Sequence, residues 1–283
     1  MHAKFRAVAG LALAISLAGC GGEDRPDART SAPESTSAPT SAAGEAGLRL
    51  VAIGDSIPYN SPEDCPGCTG FVDGFAKIVE GAHGEQVEVL NNSEHNGLTL
   101  EMLLDELDRF TDDLASADVI VVGIAHNSIE LASDTPCGTP VDENELPVWS
   151  VMTEQCARDG AKKHRPMYDE LFATIADLRK GKPTLLRAVN RYNDWIGWPE
   201  GHFTPEVDRT TAMFIRVWNK MVCASAESHG FGCADLSTAF NGPDGLRPSA
   251  DLVAADYTHP SDKGNEVIAQ VLTAMGTELT PVA

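Results

Sequence analysis

Three polar residues have the types needed for acyl transfer: Ser56 in Gly-Asp-Ser-Ile, and Asp256 and His259 in Asp-Tyr-Thr-His. A serine hydroxyl is a weak nucleophile at neutral pH, and a histidine titrates in the range where it can remove the hydroxyl proton. A carboxylate bonded to the second ring nitrogen holds that histidine in the required tautomer. The sequence therefore predicts Ser56 as the nucleophile, His259 as the general base and Asp256 as the group that orients His259.

An acyl-transfer site also needs hydrogen-bond donors for the oxyanion that forms on the attacked carbonyl. One well-placed donor stabilises the transition state by roughly 3 to 4 kcal/mol. The predicted donors of this oxyanion hole are the backbone N–H groups of Ser56 and Gly97 and the side-chain amide of Asn127.

Five short apolar runs predict strands, and five longer amphipathic stretches predict helices. The strands are expected at residues 48–53, 87–90, 119–124, 184–189 and 230–236, and the helices at residues 71–81, 99–114, 164–179, 211–229 and 260–275. Strands that are apolar throughout are typical of a parallel sheet covered on both faces. We expect one three-layer α/β domain over residues 47–283, and ligands of such sheets bind beyond the carboxyl ends of the strands.

The residues in question follow strands or precede the last helix, in four blocks. These are Gly-Asp-Ser-Ile, Gly97 after the second strand, Ala-His-Asn-Ser around Asn127, and Asp-x-x-His followed by Pro260 and Gly264. In this order they resemble the SGNH (GDSL-type) hydrolase family. The resemblance implies a flavodoxin-like sheet of five parallel strands in the order 2-1-3-4-5, ester hydrolysis through an acyl-serine, and no metal or organic cofactor.

The third block departs most from the family pattern, which is Gly-x-Asn-Asp. This chain has Ala125 and Ser128 at the two ends of the block, while Asn127 keeps its place. We expect His126 to be a loop histidine bonded to backbone, and the alternative is that it reaches the site. Asp55 is assigned to the turn before Ser56.

The amino terminus has the pattern of a secretory signal. Lys4 and Arg6 precede an apolar run at residues 7–18. The run ends in Leu-Ala-Gly-Cys, which resembles the lipobox of bacterial lipoproteins and implies removal of residues 1–19 and lipid on Cys20. The alternative is an ordinary signal peptide that ends beside a cysteine. Residues 20–46 contain no large apolar side chain and are rich in Ser, Pro and Ala, as in an extended tether. The expected location is extracytoplasmic, with membrane attachment through Cys20 only.

The six remaining cysteines fall into pairs that are close in sequence. The expected disulfides are Cys65–Cys68, Cys137–Cys156 and Cys223–Cys233. A zinc site at Cys65 and Cys68 would need a second ligand pair at similar spacing, and the sequence has none. A thioredoxin-like redox motif is the other alternative, but Ser56 already occupies the strand-to-helix position expected for it.

The charge balance excludes one class of partner. The chain has 21 Lys and Arg residues against 42 Asp and Glu residues, a net charge of −21 at pH 7, so a nucleic acid backbone would be repelled. Glu63, Asp64 and Asp73 are assigned to the solvated acidic surface.

Aromatic residues are concentrated in the loop after the fourth strand. Tyr192, Trp195 and Trp198 are predicted to contact substrate, with a small satellite core as the alternative. Residues 128–163, held by Cys137–Cys156, are expected to frame the same surface, because so long a loop in a compact domain is usually functional.

The predicted function is hydrolysis of small-molecule, lipid or polysaccharide esters, either lipid acyl esters or O-acetyl groups. The alternative is a surface binding protein for sugar or lipid that keeps the fold without turnover. We expect a monomer.

Overall fold

Five apolar segments form parallel strands of one sheet. The computed structural model describes residues 47–95, 97–128, 137–138, 148–198 and 204–283. The parallel strands are β1 (Leu48–Gly54), β2 (Val87–Asn91), β3 (Val119–Gly123), β4 (Pro183–Val189) and β5 (Gly232–Ala234). Their order is β2-β1-β3-β4-β5, which confirms the predicted α/β fold and strand order.

A sixth strand was not predicted. β6 (Thr280–Pro281) pairs antiparallel with Pro183 and Thr184 at the start of β4. β5 is shorter than the predicted run and pairs only with Arg187 to Val189. The first residues of β4 would therefore lie at an open edge, and the carboxyl-terminal segment covers this edge.

Eight α-helices lie among the described residues. They are α1 (Ser56–Tyr59), α2 (Phe71–His83), α3 (Leu100–Glu106), α4 (Thr111–Ser116), α5 (Glu154–Leu178), α6 (Pro205–Ser228), α7 (Leu236–Asn241) and α8 (Asp262–Ala274). None of the described helices is long and apolar enough to cross a bilayer.

Several helix bounds differ from the prediction. The expected helix at 99–114 is divided into α3 and α4 by a 3-10 turn at Leu107–Phe110. α5 and α6 begin earlier than expected because Thr153 and Thr204 cap them, each accepting a hydrogen bond from a backbone N–H three residues on. α7 was missed, and its amino-terminal cap is Asp235.

The core lies on both faces of the sheet, which explains why its strands read as unbroken apolar runs. In β1, Val51 and Ile53 pack on one face, whereas Leu50 and Ala52 pack on the other. The first face is covered by α3, α4, α5 and α6, and the second by α2, α7 and α8. Such a rigid scaffold fixes the strand ends from which the site is built.

The structure joins the cysteine pairs expected from the sequence. Cys65–Cys68 closes a small loop after α1, Cys137–Cys156 ties the segment before α5 to its first turn, and Cys223–Cys233 joins α6 to β5. The predicted signal at residues 1–19, the lipidation of Cys20 and the tether at 20–46 lie outside the described residues, as does much of the segment at 128–163.

Candidate active site

The turn from β1 into α1 presents Ser56. A Cβ atom on Gly54 would lie 1.9 Å from the carbonyl oxygen of Gly123, so the backbone approaches too closely for any side chain there. Ser56 is the first residue of α1, where an N–H group has no intrahelical acceptor and remains available to a ligand. The turn thus places the hydroxyl and a backbone donor of the same residue at the carboxyl end of β1.

Asp55 stabilises this turn, in line with its assignment from the sequence. One carboxylate oxygen accepts the Ile57 N–H at 3.0 Å, and the other accepts the His126 N–H at 3.1 Å. Asp55 has no exposed surface, and its burial raises its pKa to about 6 despite these bonds, because an ionised carboxylate is poorly stabilised away from water. Asp55 therefore links the turn before Ser56 to the third block.

Ser56, His259 and Asp256 form a continuous hydrogen-bonded chain. The Nε2 atom of His259 lies 2.9 Å from the Ser56 Oγ, and its Nδ1 atom lies 2.5 Å from an Asp256 carboxylate oxygen. With a proton on Nδ1 donated to Asp256, Nε2 is free to accept the Ser56 proton. This is the arrangement in which a serine becomes a nucleophile.

The charge of Asp256 is stabilised by the local backbone. Partial burial acts to raise its pKa, but hydrogen bonds from the His259 ring and from the N–H groups of Thr258 and His259 outweigh it, so the pKa lies below its usual range. Tyr257, at a φ of 60°, makes the tight turn that brings Asp256 back to His259. Asp256 is consequently ionised at neutral pH and able to orient the imidazole.

Tyr192 supports this turn from below and does not face a substrate surface. Its ring is fully buried and stacks on Phe240 with centroids 4.3 Å apart. Its hydroxyl donates to the Thr258 carbonyl oxygen at 2.5 Å, directly before His259. The structure thus places Tyr192 as a support of the histidine turn.

Trp195, in the same loop, packs into a satellite core. Trp195 is half-buried, with its ring 4.8 Å from that of Trp149 and the guanidinium of Arg191 at 4.2 Å. Arg191 in turn pairs with Asp194 at 2.7 Å. Of the two interpretations left open by the sequence, these contacts favour the core for Trp195. Trp198 is also half-buried.

Two of the expected oxyanion donors, Gly97 and Asn127, lie in loops after β2 and β3. Gly97 has a left-handed φ of 70°, and its N–H donates to the His95 carbonyl oxygen at 2.9 Å. Asn127 donates one amide hydrogen to the Leu98 carbonyl oxygen at 3.3 Å, which leaves its second hydrogen for a ligand. In this conformation Ser56 and Asn127 present free donor capacity, whereas the Gly97 N–H is engaged.

His126 does not join the reacting groups. Its ring is buried against Tyr192, with centroids 4.6 Å apart. Burial, together with the positive charges of Arg191 and His259, lowers the His126 pKa well below its ordinary value. His126 is therefore neutral and contributes through its backbone, as its N–H bonds to Asp55.

Asp64 and His95 lie beside the triad, and the sequence did not predict either of them as part of the site. Asp64, assigned there to the solvated surface, lies with one carboxylate oxygen 3.5 Å from the His259 Nε2 and 3.0 Å from the Nε2 of His95. Its side chain is only 17% exposed. The assignment of Asp64 to the solvated surface was wrong, because the loop after α1 folds back over the end of the sheet.

The residues of the site do not form a convergent metal cage. Asp64, Asp256 and His259 each offer a ligand atom within 4.8 Å of the others. However, Asp256 is bonded to Nδ1 of the imidazole and Asp64 faces Nε2, so the two carboxylates flank the ring at different nitrogens. Both carboxylates contact the nitrogen atoms of the His259 ring. The chemistry of a serine, a histidine and an aspartate needs no metal.

The model of the GDSL-like lipase/acylhydrolase family matches residues 52–267, which include all four sequence blocks. The chain belongs to this family. It is therefore a carboxylic ester hydrolase by family. No protein with curated annotation matches its sequence.

Solved structures of a lipase and of other hydrolases are similar in fold. A lipase from a goat rumen metagenome has a TM-score of 0.57 and 21% identity, covering 82% of this chain and 98% of that chain. A hydrolase from the metagenome of Lake Arreo, Spain, has a TM-score of 0.52 and 22% identity, covering 81% and 94%. Phospholipase A1 from Streptomyces albidoflavus has a TM-score of 0.53 and 15% identity, covering 81% and 99%. At these identities the likeness establishes the fold alone.

Proposed function

We propose that this GDSL-like hydrolase is a serine esterase that works through an acyl-enzyme on Ser56. The observation that carries the proposal is the unbroken chain from the Ser56 Oγ through His259 to Asp256, with distances of 2.9 Å and 2.5 Å. These bonds join residues 203 positions apart in the sequence, so the fold itself brings the three groups together.

The reaction follows from the geometry. The His259 Nε2 takes the Ser56 proton as Oγ attacks the ester carbonyl carbon, and Asp256 stabilises the imidazolium. The N–H of Ser56 and the amide of Asn127 bind the oxyanion. His259 then gives its proton to the leaving alcohol, and the acyl group stays on Ser56. Water, activated by the same imidazole, hydrolyses the acyl-serine and restores the resting state.

We further propose that the enzyme acts outside the cytoplasm on envelope esters, tethered by lipid on Cys20. Support comes from the Leu-Ala-Gly-Cys pattern, the polar tether at 20–46 and three disulfides, which persist in oxidising compartments. Lipid acyl esters and O-acetyl groups are the two proposed substrate classes. The lipase and the phospholipase A1 of the same fold are precedents for the first.

The test of the reaction is hydrolysis of p-nitrophenyl acetate, butyrate, octanoate and palmitate by the purified protein. Ser56→Ala is expected to abolish turnover, whereas Ser116→Ala, at the opposite end of the sheet, keeps it. The chain-length profile separates an acetyl esterase from a lipase-like enzyme. Turnover that survives in Ser56→Ala would refute the acyl-serine.

The test of the location compares the full-length chain with a Cys20→Ala variant in a bacterial host. The full-length chain is expected to incorporate labelled palmitate and to sediment with the membrane fraction. The Cys20→Ala variant is expected to do neither. Equal palmitate labelling of the two proteins, or equal release of both proteins from the membrane, would refute lipid attachment at Cys20.

A further inference from the structure

A second carboxylate approaches the histidine of the site from the side of the nucleophile. The Asp64 Oδ2 lies 3.5 Å from the His259 Nε2, the same atom that bonds Ser56 at 2.9 Å. The side chains of Asp64 and His259 are 17% and 18% exposed, so water screens this contact only in part. His259 therefore lies between two carboxylates, with Asp256 on its other nitrogen.

The loop that carries Asp64 is held in place by several contacts. The Asp64 N–H donates to the Ser61 carbonyl oxygen at 3.2 Å, and the Cys65–Cys68 disulfide follows directly. Two hydrogen bonds tie the loop to α8: the Thr69 N–H donates to Asp262 at 3.0 Å, and the Asn265 amide donates to Asn60 at 3.1 Å. Within the loop, the Asn60 amide donates to the Cys68 carbonyl oxygen at 3.2 Å. Because α8 follows His259 closely, the same framework positions both partners of the contact.

His95 orients the Asp64 carboxylate. Its Nε2 lies 3.0 Å from the Asp64 Oδ2, and its ring stacks on Tyr59 with centroids 5.5 Å apart. With a proton on Nε2, His95 donates to Asp64 and fixes the carboxylate beside the ring of His259, whose centroid is 6.4 Å away. Asp64 and His95 thus form a pair next to the triad.

The effect of Asp64 depends on the proton of His259. In the resting state Nε2 presents a lone pair to Ser56, and a nearby carboxylate repels that lone pair. Once Nε2 bears a proton the ring is positive and the carboxylate attracts it. This protonated form occurs twice, in the resting enzyme at acid pH and in the transition state after Ser56 has given up its proton.

We propose that Asp64, oriented by His95, is a positioning residue that stabilises the imidazolium of His259 during ester hydrolysis. The inference rests on the proposed serine esterase mechanism. It assigns the loop that carries Asp64, directly before the Cys65–Cys68 disulfide, to the support of catalysis. Asp64 acts through His259 and touches no substrate atom in the mechanism above.

Other titratable groups also face His259 besides Asp64. They are Asp256 on Nδ1, His95 behind Asp64, and the buried pair Asp55 and His126, which interact with His259 through charge. These groups remain in both proteins, and His95 is bonded to Asp64, so the difference between the two pH profiles reports the Asp64–His95 pair.

The experiment compares the pH–rate profile of kcat/KM for the wild type and Asp64→Asn on one p-nitrophenyl ester. At acid pH the resting state and the transition state both contain the imidazolium, so loss of Asp64 affects both and the two rates coincide. At high pH only the transition state contains it, and Asp64→Asn is expected to be about tenfold slower. The acid limbs of the two profiles therefore overlap, and the midpoint at which the rate levels off is about one pH unit lower in Asp64→Asn.

Glu63→Gln is the matched control, because it removes an exposed negative charge one residue away. Its profile is expected to follow the wild type. A uniform loss of rate at every pH in Asp64→Asn, or a profile equal to that of Glu63→Gln, would overturn the proposal while the wild type remains an esterase.

A second readout needs no turnover. The NMR titration midpoint of the His259 ring is expected to fall by about one pH unit in Asp64→Asn and to stay in place in Glu63→Gln. An unchanged midpoint in Asp64→Asn would overturn the inference about Asp64. If the wild type hydrolyses no ester but the His259 midpoint still differs between the wild type and Asp64→Asn, the serine esterase mechanism is refuted. The contact between Asp64 and His259 is then still established.

Discussion

Replacement of Asp55 by Asn tests the energetics of the turn that carries Ser56. Asp55 is fully buried, and burial raises its pKa from 3.8 to about 6. A raised pKa means that the stability contributed by Asp55 is fully present below pH 3.8 and is lost as the pH rises through 6. The shift of about two units corresponds to about 3 kcal/mol of unfolding free energy above pH 7.

The variant is expected to change stability in two ways. Asn keeps one acceptor and places an amide group against the other backbone N–H, either of Ile57 or of His126, which costs about 1 to 3 kcal/mol at every pH. Asn also removes the cost of ionisation, which only the wild type bears. The stability deficit of Asp55→Asn should therefore shrink by about 2 kcal/mol between pH 4.5 and pH 7.5.

The assay is urea unfolding of both proteins at several pH values in this range, with Asp73→Asn as a control at an exposed carboxylate of α2. The control is expected to show a smaller change with pH than Asp55→Asn, because the Asp73 side chain is exposed. A stability difference between Asp55→Asn and the wild type that stays constant with pH would refute the reasoning, because it would mean that Asp55 ionises as easily in the folded chain as in the unfolded one.

Three further predictions concern the support of His259 and the edge of the sheet. Asp256→Asn is expected to lower kcat on the order of 1000-fold or more, because the amide donates to Nδ1 and reverses the tautomer; an ester assay showing a loss below tenfold would contradict this role. Tyr192→Phe removes the bond to the Thr258 carbonyl, so kcat should fall at unchanged KM, with about 1 kcal/mol lost in urea unfolding. Replacement of Cys223 and Cys233 by Ala should lower the unfolding free energy by about 2 to 3 kcal/mol, and an unchanged urea midpoint would show that this disulfide does not stabilise the fold.

The fold could be predicted because its sheet is buried on both faces. Runs such as Val119–Gly123 are apolar throughout, and only a covered parallel strand tolerates this. Helix starts were harder to predict. The first turns of α5 are polar and contain Gly160, and Pro166 lies further along the helix, so propensity alone gave no reason to extend the helix back to Thr153.

The triad could be predicted because the two residues that must share one turn, Asp256 and His259, are close in sequence. Asp256 and His259 lie three residues apart in one turn, and Ser56 follows a strand at the edge where such sheets bind ligands. The pair of Asp64 and His95 had no such signal. The two residues are 31 positions apart in different loops, and their contact depends on how both loops fold over the sheet. An aspartate in a loop is usually solvated, so residue type alone pointed to the wrong environment.

The altered third block was the reason to consider a binding protein without turnover, and its contacts weaken that alternative. Ser128, where the family pattern has Asp, accepts the Leu100 N–H at 3.0 Å and donates to the Ile124 carbonyl oxygen at 3.3 Å. It thereby joins the start of α3 to the end of β3, and Asn127 beside it keeps an amide hydrogen for the oxyanion. With Ser128 at this position the block is held by backbone contacts, and it still presents the Asn127 donor. A defect in hydrolysis would have to arise at Ser56, Asp256 or His259, and those three residues are hydrogen-bonded as the reaction requires.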